Sequence, residues 1–532
     1  MTMRITAMHL AIAVAAILSG SAALADRDTS TAALLPDGST PLMEAAFEGN
    51  VDEARKLLKE GANVKAANVY GVNAMLLAAE NSNPELIQLF LKAGADANSA
   101  NPEGETALHL VARSGNVEAA KLLLKAHAAV DAREHFGSQT PLMWAVARRH
   151  PEMVEVLASK GADVNARSAV RDYKRVATAE SRAKFLDRGG FTPLMYAARE
   201  NCRECVDVLL KHKVDIDLPD PSGMVPLSIA LMNSNWDVAK RLIEAGADVN
   251  QWDIFGQSPL HVAIRNMNNA GNNNPLDANS PNEASGRDIV EMLVERGANP
   301  NQQLYYKAAG YGTAFEGGTG RGTTPFLLAC ANGDIEVVKL LLEHGANPKL
   351  ATSDGQGPII LAVEGSGGGR GGPGARRGGA PRGATARPAR GAGGANRKNP
   401  KAELIKLLAD AGADVNLIAK RHFLQRTRGG SALHYAVRAH NKDAMAELVE
   451  LGIDVNAKDE DGLTALDYAM GRGYVPFLQK EPSPPIKDLA DALRGWGANV
   501  ELAKTPDWPP QGPPIGTTVY DAVIWPVDPV GP

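Results

Sequence analysis

The sequence predicts an all-α solenoid of about eleven stacked helix–turn–helix repeats joined by β-turn hairpins. Three observations carry that expectation. First, a pattern close to G-x-T-P-L-x-x-A-A, then a short break, then V-x-x-L-L-x-x-G-A-D-V-N, recurs along the chain. Its proline, or the residue replacing it, stands at Pro41, Ala74, Ala107, Pro141, Pro193, Pro226, Pro259, Pro325, Pro358, Ala432 and Ala465. Second, most neighbours in that series are 33 residues apart, Ala107 and Pro141 are 34 apart, and the longer intervals contain visible insertions. Such a period marks a helix pair with a connecting β-turn. Third, 532 residues are too many for one ordinary core, and aromatics at 5% are too sparse for a β-sandwich or a lectin-like surface.

The first 25 residues read as a secretory signal peptide. Arg4 gives a positive start, Ala7 to Leu18 is an apolar run, and Ala23-Leu24-Ala25 is an A-x-A cleavage site. The run is short for a membrane span, and no later segment approaches 18 unbroken apolar residues. The expected mature chain is soluble, periplasmic or secreted, without a transmembrane segment, and monomeric. An uncleaved N-terminal anchor is the competing reading. Residues 26–36 form a linker before the array, which spans 37–505.

Within each repeat the motif positions have mechanical reasons. Thr40, Thr106, Thr140, Thr192 and Thr324 are N-cap residues, and Pro41, Pro141, Pro193 and Pro325 suit the first helical position, where no N–H partner is needed. Alanine pairs such as Ala45-Ala46 and Ala197-Ala198 let helices approach closely. Leucine pairs such as Leu57-Leu58, Leu123-Leu124, Leu209-Leu210 and Leu341-Leu342 are expected to fill the core between units. Gly61, Gly94, Gly161, Gly246, Gly297, Gly345, Gly412 and Gly452 end the second helix in a left-handed turn. His127 and Lys213 replace that glycine. Either a residue with a Cβ costs about 1 kcal/mol there, or the local turn adjusts.

These motifs resemble the ankyrin-repeat family, and the resemblance covers roughly residues 37 to 505. It implies that His109, His261 and His434, in the T-P-L-H slot or its S-P-L-H and S-A-L-H variants, brace the turn by bonding backbone and the motif Thr or Ser. A metal or acid–base role is the weaker reading, because one histidine per repeat leaves them far apart. The resemblance also implies a non-catalytic protein–protein interaction scaffold that binds along the hairpin edge and the adjoining concave face of first helices.

Insertions interrupt the array in two kinds of place. Three lengthen hairpin tips, as fingers at 168–188, 302–320 and 417–428. The first is rich in basic residues, among them Arg171, Lys174 and Arg175, and its stretch 172–186 has the pattern of a short amphipathic helix. The middle finger is nearly neutral and aromatic, with Tyr305, Tyr306, Tyr311 and Phe315. The third carries Lys420, Arg421, Phe423 and Arg426. Basic groups around aromatics suit an acidic protein surface or an anionic polymer, so these are the candidate partner-binding residues; solvated loops without a partner are the bland reading. Two further insertions separate the helices of one repeat: an Asn-rich loop at 267–286 and a Gly/Arg-rich tract at 364–399, expected to be disordered. Export argues against a nucleic-acid role for that tract. A Pro-rich tail, 506–532, ends the chain.

Cys202 and Cys205 form a C-x-x-C at the start of the second helix of repeat five. A helical i, i+3 pair lies within disulfide range, and in an oxidising compartment a local disulfide is the favoured reading. Two reduced thiols in the interface, or a redox couple, are the alternatives; no thioredoxin-type context surrounds the pair. Cys330 replaces an alanine and is expected in the core. No phosphate-loop, metalloprotease, nucleophile-elbow or zinc-finger motif is present, so no catalytic residues, metal ligands or cofactors are assigned. The alternatives to a scaffold are a redox or enzyme-accessory protein using the cysteine pair, and a secreted effector with the same binding surface.

Overall fold

The computed structural model of the chain describes residues 35–171, 188–268, 282–305, 322–365, 400–420, 429–472 and 484–499. Residues 1–34, which include the expected signal peptide, most of the three fingers including the 172–186 stretch, most of both inter-helix insertions, and the Pro-rich tail lie outside the described residues. The chain divides into two compact units at Asp163 and Val164.

The N-terminal unit contains four helix pairs: α1 (Pro41–Phe47) and α2 (Val51–Lys59), α3 (Ala74–Glu80) and α4 (Pro84–Lys92), α5 (Ala107–Ser114) and α6 (Val117–Lys125), α7 (Pro141–Ala147) and α8 (Pro151–Ser159). Within each pair the two helices pack together. First helices stack on first helices in the order α1, α3, α5, α7, and second helices follow the same order.

The C-terminal unit opens with β1 (Val170–Arg171) and β2 (Arg188–Gly189). Its pairs are α9 (Pro193–Glu200) and α10 (Arg203–Lys211), α11 (Pro226–Met232) and α12 (Trp236–Glu244), α13 (Pro259–Asn266) and α14 (Gly286–Glu295), α15 (Pro325–Asn332) and α16 (Ile335–Glu343), α17 (Pro358–Glu364) and α18 (Pro400–Asp410). Then come β3 (Ile418–Ala419), β4 (Gly430–Ser431), α19 (Ala432–Arg438) with α20 (Lys442–Glu450), and α21 (Ala465–Ala469) with α22 (Lys487–Gly495). First helices again stack in chain order from α9 to α21.

Local chemistry explains the short helices. The Thr40 hydroxyl accepts from the Met43 amide at 3.3 Å, and Thr106, Thr140, Thr192 and Thr324 repeat this bond. The alanines of the Ala45-Ala46 and Ala197-Ala198 pairs are buried, as the close approach of first helices requires. The leucine pairs divide their labour. Leu123, Leu209 and Leu341 are buried, whereas Leu124, Leu210 and Leu342 are half-buried, and so are both Leu57 and Leu58. Only one residue of a consecutive pair can point into a helix–helix seam. At the helix ends, Gly61 has φ +92 with open space where a Cβ would stand. His127 and Lys213 keep the same left-handed turn, with φ +63 and +59. The turn therefore does not rearrange around the side chain.

Two polar staples recur between consecutive repeats. The motif histidine is the first. The Ser258 amide donates to His261 Nδ1 at 3.2 Å, so that nitrogen carries no proton, and His261 Nε2 then donates to the Thr323 carbonyl of the following repeat at 3.2 Å. His109 reaches the Gln139 carbonyl and His434 the Leu463 carbonyl in the same way. Burial pushes the imidazoles of all three down, His261 to about 3. In repeat eleven Asp467 takes the slot, accepting from the Thr464 amide at 2.9 Å and hydroxyl at 2.8 Å. The capping box survives there without the reach to a following repeat.

The second staple is the asparagine that closes the G-A-D-V-N segment. Asn301 Nδ2 donates to the Gly345 carbonyl at 2.9 Å while its Oδ1 accepts from the Asn347 amide at 2.7 Å. Asn98, Asn250, Asn416 and Asn456 do the same toward their successors. Each of these side chains works across a repeat boundary instead of shaping only its own turn.

Candidate functional site: the hairpin row

Among the described residues, several hairpin tips are organised around one side-chain acceptor. Asp220 Oδ1 takes the amides of Ser222 and Met224, Asp253 Oδ1 takes those of Phe255 and Gln257, and Asp459 Oδ1 takes those of Asp461 and Leu463. Asn68 and Glu134 do this work in the N-terminal unit. Burial raises the Asp253 carboxyl to about 6, with a smaller upward push from Asp220; the two amide bonds and Arg265 oppose it.

Tips also bond to each other. In the N-terminal unit the Val69 amide donates to the Asp37 carbonyl and His135 to Glu103. In the C-terminal unit Ile254 donates to Ser222 at 3.0 Å, Tyr305 to Phe255 at 2.8 Å and Lys420 to Asp354 at 2.7 Å. These bonds use some of the tips' backbone polar groups on neighbouring tips.

Those side chains include large apolar ones. In the C-terminal unit Trp252, Ile254 and Tyr305 are 47%, 48% and 47% exposed. Trp252 and Tyr305 meet edge to face with ring centroids 5.4 Å apart. Beside Tyr305 is an open groove of about 270 Å³ lined by Leu304, Gly322, Thr352 and Ser353. Val69, Tyr70 and Phe136 are exposed on tips of the N-terminal unit.

The three fingers leave this row through paired stems. Val170 opposes Gly189 and Arg171 opposes Arg188 in the first. The Leu304 amide donates to Thr323, and Gly322 to Leu304, in the second. Ile418 opposes Ser431 and Ala419 opposes Gly430 in the third. Gly190 (φ +67) is required where the first stem rejoins the row, because a Cβ would sit 2.7 Å from Pro221 Cδ. Of the residues named from sequence, Tyr305 lies in the row, Lys420 is exposed at the third stem, and the Arg171 backbone lies in the first. Lys174, Arg175, Tyr306, Tyr311, Phe315, Arg421, Phe423 and Arg426 are outside the described residues.

The first-helix face next to the row carries stacked cations. Arg199 lies 4.9 Å from the Tyr196 ring centre and 5.9 Å from that of Phe191, and Arg438 lies 5.2 Å from Tyr435. In the N-terminal unit Arg113 sits 5.6 Å over Trp144 and pairs with Glu80. On the second helices of the C-terminal unit, a cleft of about 250 Å³ is lined by charges of both signs, including Arg203, Asp237, Lys240 and Glu283. Cys202 and Cys205 are joined, Sγ to Sγ 2.01 Å, and are 2% and 0% exposed. Cys330 is buried, and its surroundings push the thiol well up.

The family profile for ankyrin repeats in three copies matches residues 4–101, 75–168, 213–304, 282–368 and 394–485, and a second ankyrin profile, for many copies, matches 186–230. The chain belongs to the ankyrin-repeat family. Among curated proteins the ankyrin array is 28% identical over 166 residues to the ankyrin repeat protein nuc-2 of Neurospora crassa, covering 31% of this chain and 12% of that protein. It is 26% identical over 181 residues to the putative ankyrin repeat protein FPV115 of Fowlpox virus, covering 34% and 22%. The chain thus spans less than a quarter of the length of either relative. Among solved structures, the ankyrin repeat domains of Bcl-3 and of human ASB11 match at 24% and 22% identity. Each covers 49% of this chain and 100% of its own, with a TM-score of 0.38. Ankyrin repeats are generally protein–protein interaction scaffolds.

Sequence reasoning singled out Tyr305 but not the other exposed apolar tip residues, Trp252 and Ile254 in the C-terminal unit and Val69, Tyr70 and Phe136 in the N-terminal unit. Their signal was available: apolar residues beside a tip glycine, where turns are ordinarily polar.

Proposed function

We propose that this ankyrin array is a non-catalytic scaffold that holds a protein partner along the hairpin row of its C-terminal unit and the adjoining first-helix face. The observation that carries this reading is the exposed Trp252–Ile254–Tyr305 cluster. An apolar patch standing in water beside tips that bond to one another through their backbones marks an interaction site. Large aromatics are also the usual anchors of protein interfaces. The basic stretches of fingers one and three flank this cluster in chain order, which favours a partner with acidic groups around an apolar contact. With the signal-peptide pattern at residues 1–25, the encounter takes place after export, in a periplasm or outside the cell, and the scaffold acts as a monomer.

The test combines deletion and point variants. Removing 168–188 and 417–428, or replacing Trp252 and Tyr305 by Ala, is expected to abolish recovery of a partner co-purifying with the exported protein. The double alanine variant leaves the buried core untouched, so loss of binding with an unchanged unfolding midpoint supports this surface. Undiminished recovery from all variants removes it.

A further inference from the structure

The start of the second helix is held in the same way in most repeats. A side-chain oxygen at the N-cap accepts the amide three residues on: Asn50 from Glu53 at 3.1 Å, Asn116 from Ala119 at 3.0 Å, Asp334 from Val337 at 3.2 Å and Asn441 from Ala444 at 3.1 Å. In repeat five the N-cap is Cys202, and the amide three residues on belongs to Cys205. That amide points at Cys202 Sγ from 3.2 Å, but sulfur is a weak acceptor. The disulfide joins the same two positions that the hydrogen bond joins elsewhere.

The turn so held touches the candidate binding face. The Cys202 amide donates to the Ala197 carbonyl, and Asn235 Nδ2 donates to the carbonyls of Ala198 and Arg199. Arg199 lies over Tyr196 and Phe191. The Phe191 carbonyl accepts from Ser168 and its amide donates to the Ser168 hydroxyl, at the base of finger one. An unbroken series of contacts therefore runs from the sulfur pair to the first stem, all within the C-terminal unit.

We infer that the Cys202–Cys205 disulfide is a redox-sensitive N-cap, a covalent stand-in for the asparagine or aspartate of other repeats, whose reduction loosens the repeat-five turn and the Phe191–Tyr196–Arg199 cluster that the turn supports. The reaction is thiol–disulfide exchange with a dithiol. A thiolate of the dithiol attacks Cys202 Sγ; the sulfur–sulfur bond breaks and Cys205 leaves as a thiolate that takes up a proton. The second thiol of the reductant then releases Cys202 as a thiol. Two electrons and two protons pass to the protein, and the dithiol becomes a cyclic disulfide. Because both sulfurs are buried, exchange proceeds through local opening of the turn.

The experiment uses the full chain with and without dithiothreitol, followed by amide hydrogen exchange. The variant Cys202→Asn/Cys205→Ala restores the ordinary cap without sulfur. The oxidised protein, denatured, is expected to titrate one thiol, from Cys330, and the reduced protein three. Reduction should speed exchange at 203–206 about five- to tenfold, the size of a lost side-chain cap, while the equivalent turn at 335–338 stays unchanged. The asparagine variant should exchange as slowly as the oxidised protein, with or without dithiol. Equal exchange in both redox states overturns the inference, as do three free thiols before any reductant. An asparagine variant that exchanges as fast as the reduced wild type overturns it too.

Discussion

Replacing Asp253 by asparagine should stabilise the protein at neutral pH. The side chain is buried at a hairpin tip, and its Oδ1 accepts the amides of Phe255 and Gln257, both at 2.9 Å. An amide oxygen can accept those two bonds as well as a carboxylate can. Asn68 does so at the same place in another repeat, while its Nδ2 donates to Ser39 Oγ of the preceding tip at 3.1 Å. What asparagine removes is the cost of ionising a desolvated carboxyl that faces Asp220. Burial lifts this group from 3.8 to about 6. At 1.36 kcal/mol per pH unit, the ionised form is disfavoured by roughly 3 kcal/mol, an upper bound that solvent relaxation reduces to about 1–2 kcal/mol. A carboxyl raised on folding binds protons more tightly in the folded state. Its stabilising contribution is therefore complete below pH 3.8 and is lost as pH rises to about 6. The stability gap between Asp253→Asn and wild type should open between pH 4 and 6 and stay constant above. Urea unfolding midpoints of both proteins from pH 4 to 8 measure it directly, and the histidines cancel in the comparison. A gap independent of pH, or a variant less stable at pH 7.5, would refute the desolvation argument.

Three further outcomes follow from the packing. His261→Leu takes the Nδ1 acceptor from the Ser258 amide and one of the donors from the Thr323 carbonyl, at a cost of about 1–3 kcal/mol in a urea titration; it also removes the part of acid sensitivity that arises between pH 6.5 and about 3, where unfolded histidine binds a proton and folded His261 does not. Asn301→Ala breaks both bonds of one solvent-exposed staple and should lower stability by about 1 kcal/mol, with faster amide exchange at Asn347 and little change in other repeats. His127→Gly and Lys213→Gly each relieve a left-handed backbone at a position where the equivalent glycines meet open space, and each should raise the unfolding midpoint by an amount equal to about 1 kcal/mol.

The threonine caps, the helix-ending glycines and the histidine braces were legible in the sequence because each acts within a few residues of itself, or at a spacing the repeat fixes. Asn301 escaped because its partners lie 44 and 46 residues on, while those of Asn98 lie 29 and 31 on. Insertions vary that interval, so no constant period advertises the bond. Trp252 and Tyr305 meet across an interval enlarged by the repeat-seven insertion, which hides their register. Cys202 read as a sulfur pair but not as a cap, since its residue type disguises a position that asparagine usually fills. Asp467 is the converse case. A carboxylate in the histidine slot keeps the local box and lacks the reach, which suits the last repeat.

The most direct test of the account places a photo-crosslinking residue at Trp252 or Tyr305 on the hairpin row, or at Arg203 or Lys240 on the second-helix side, and illuminates the protein in the cells that make it. The account predicts one shared crosslinked protein from the first two positions and none from the others. Equal crosslinking from Arg203 and Lys240, or crosslinking only there, would contradict it.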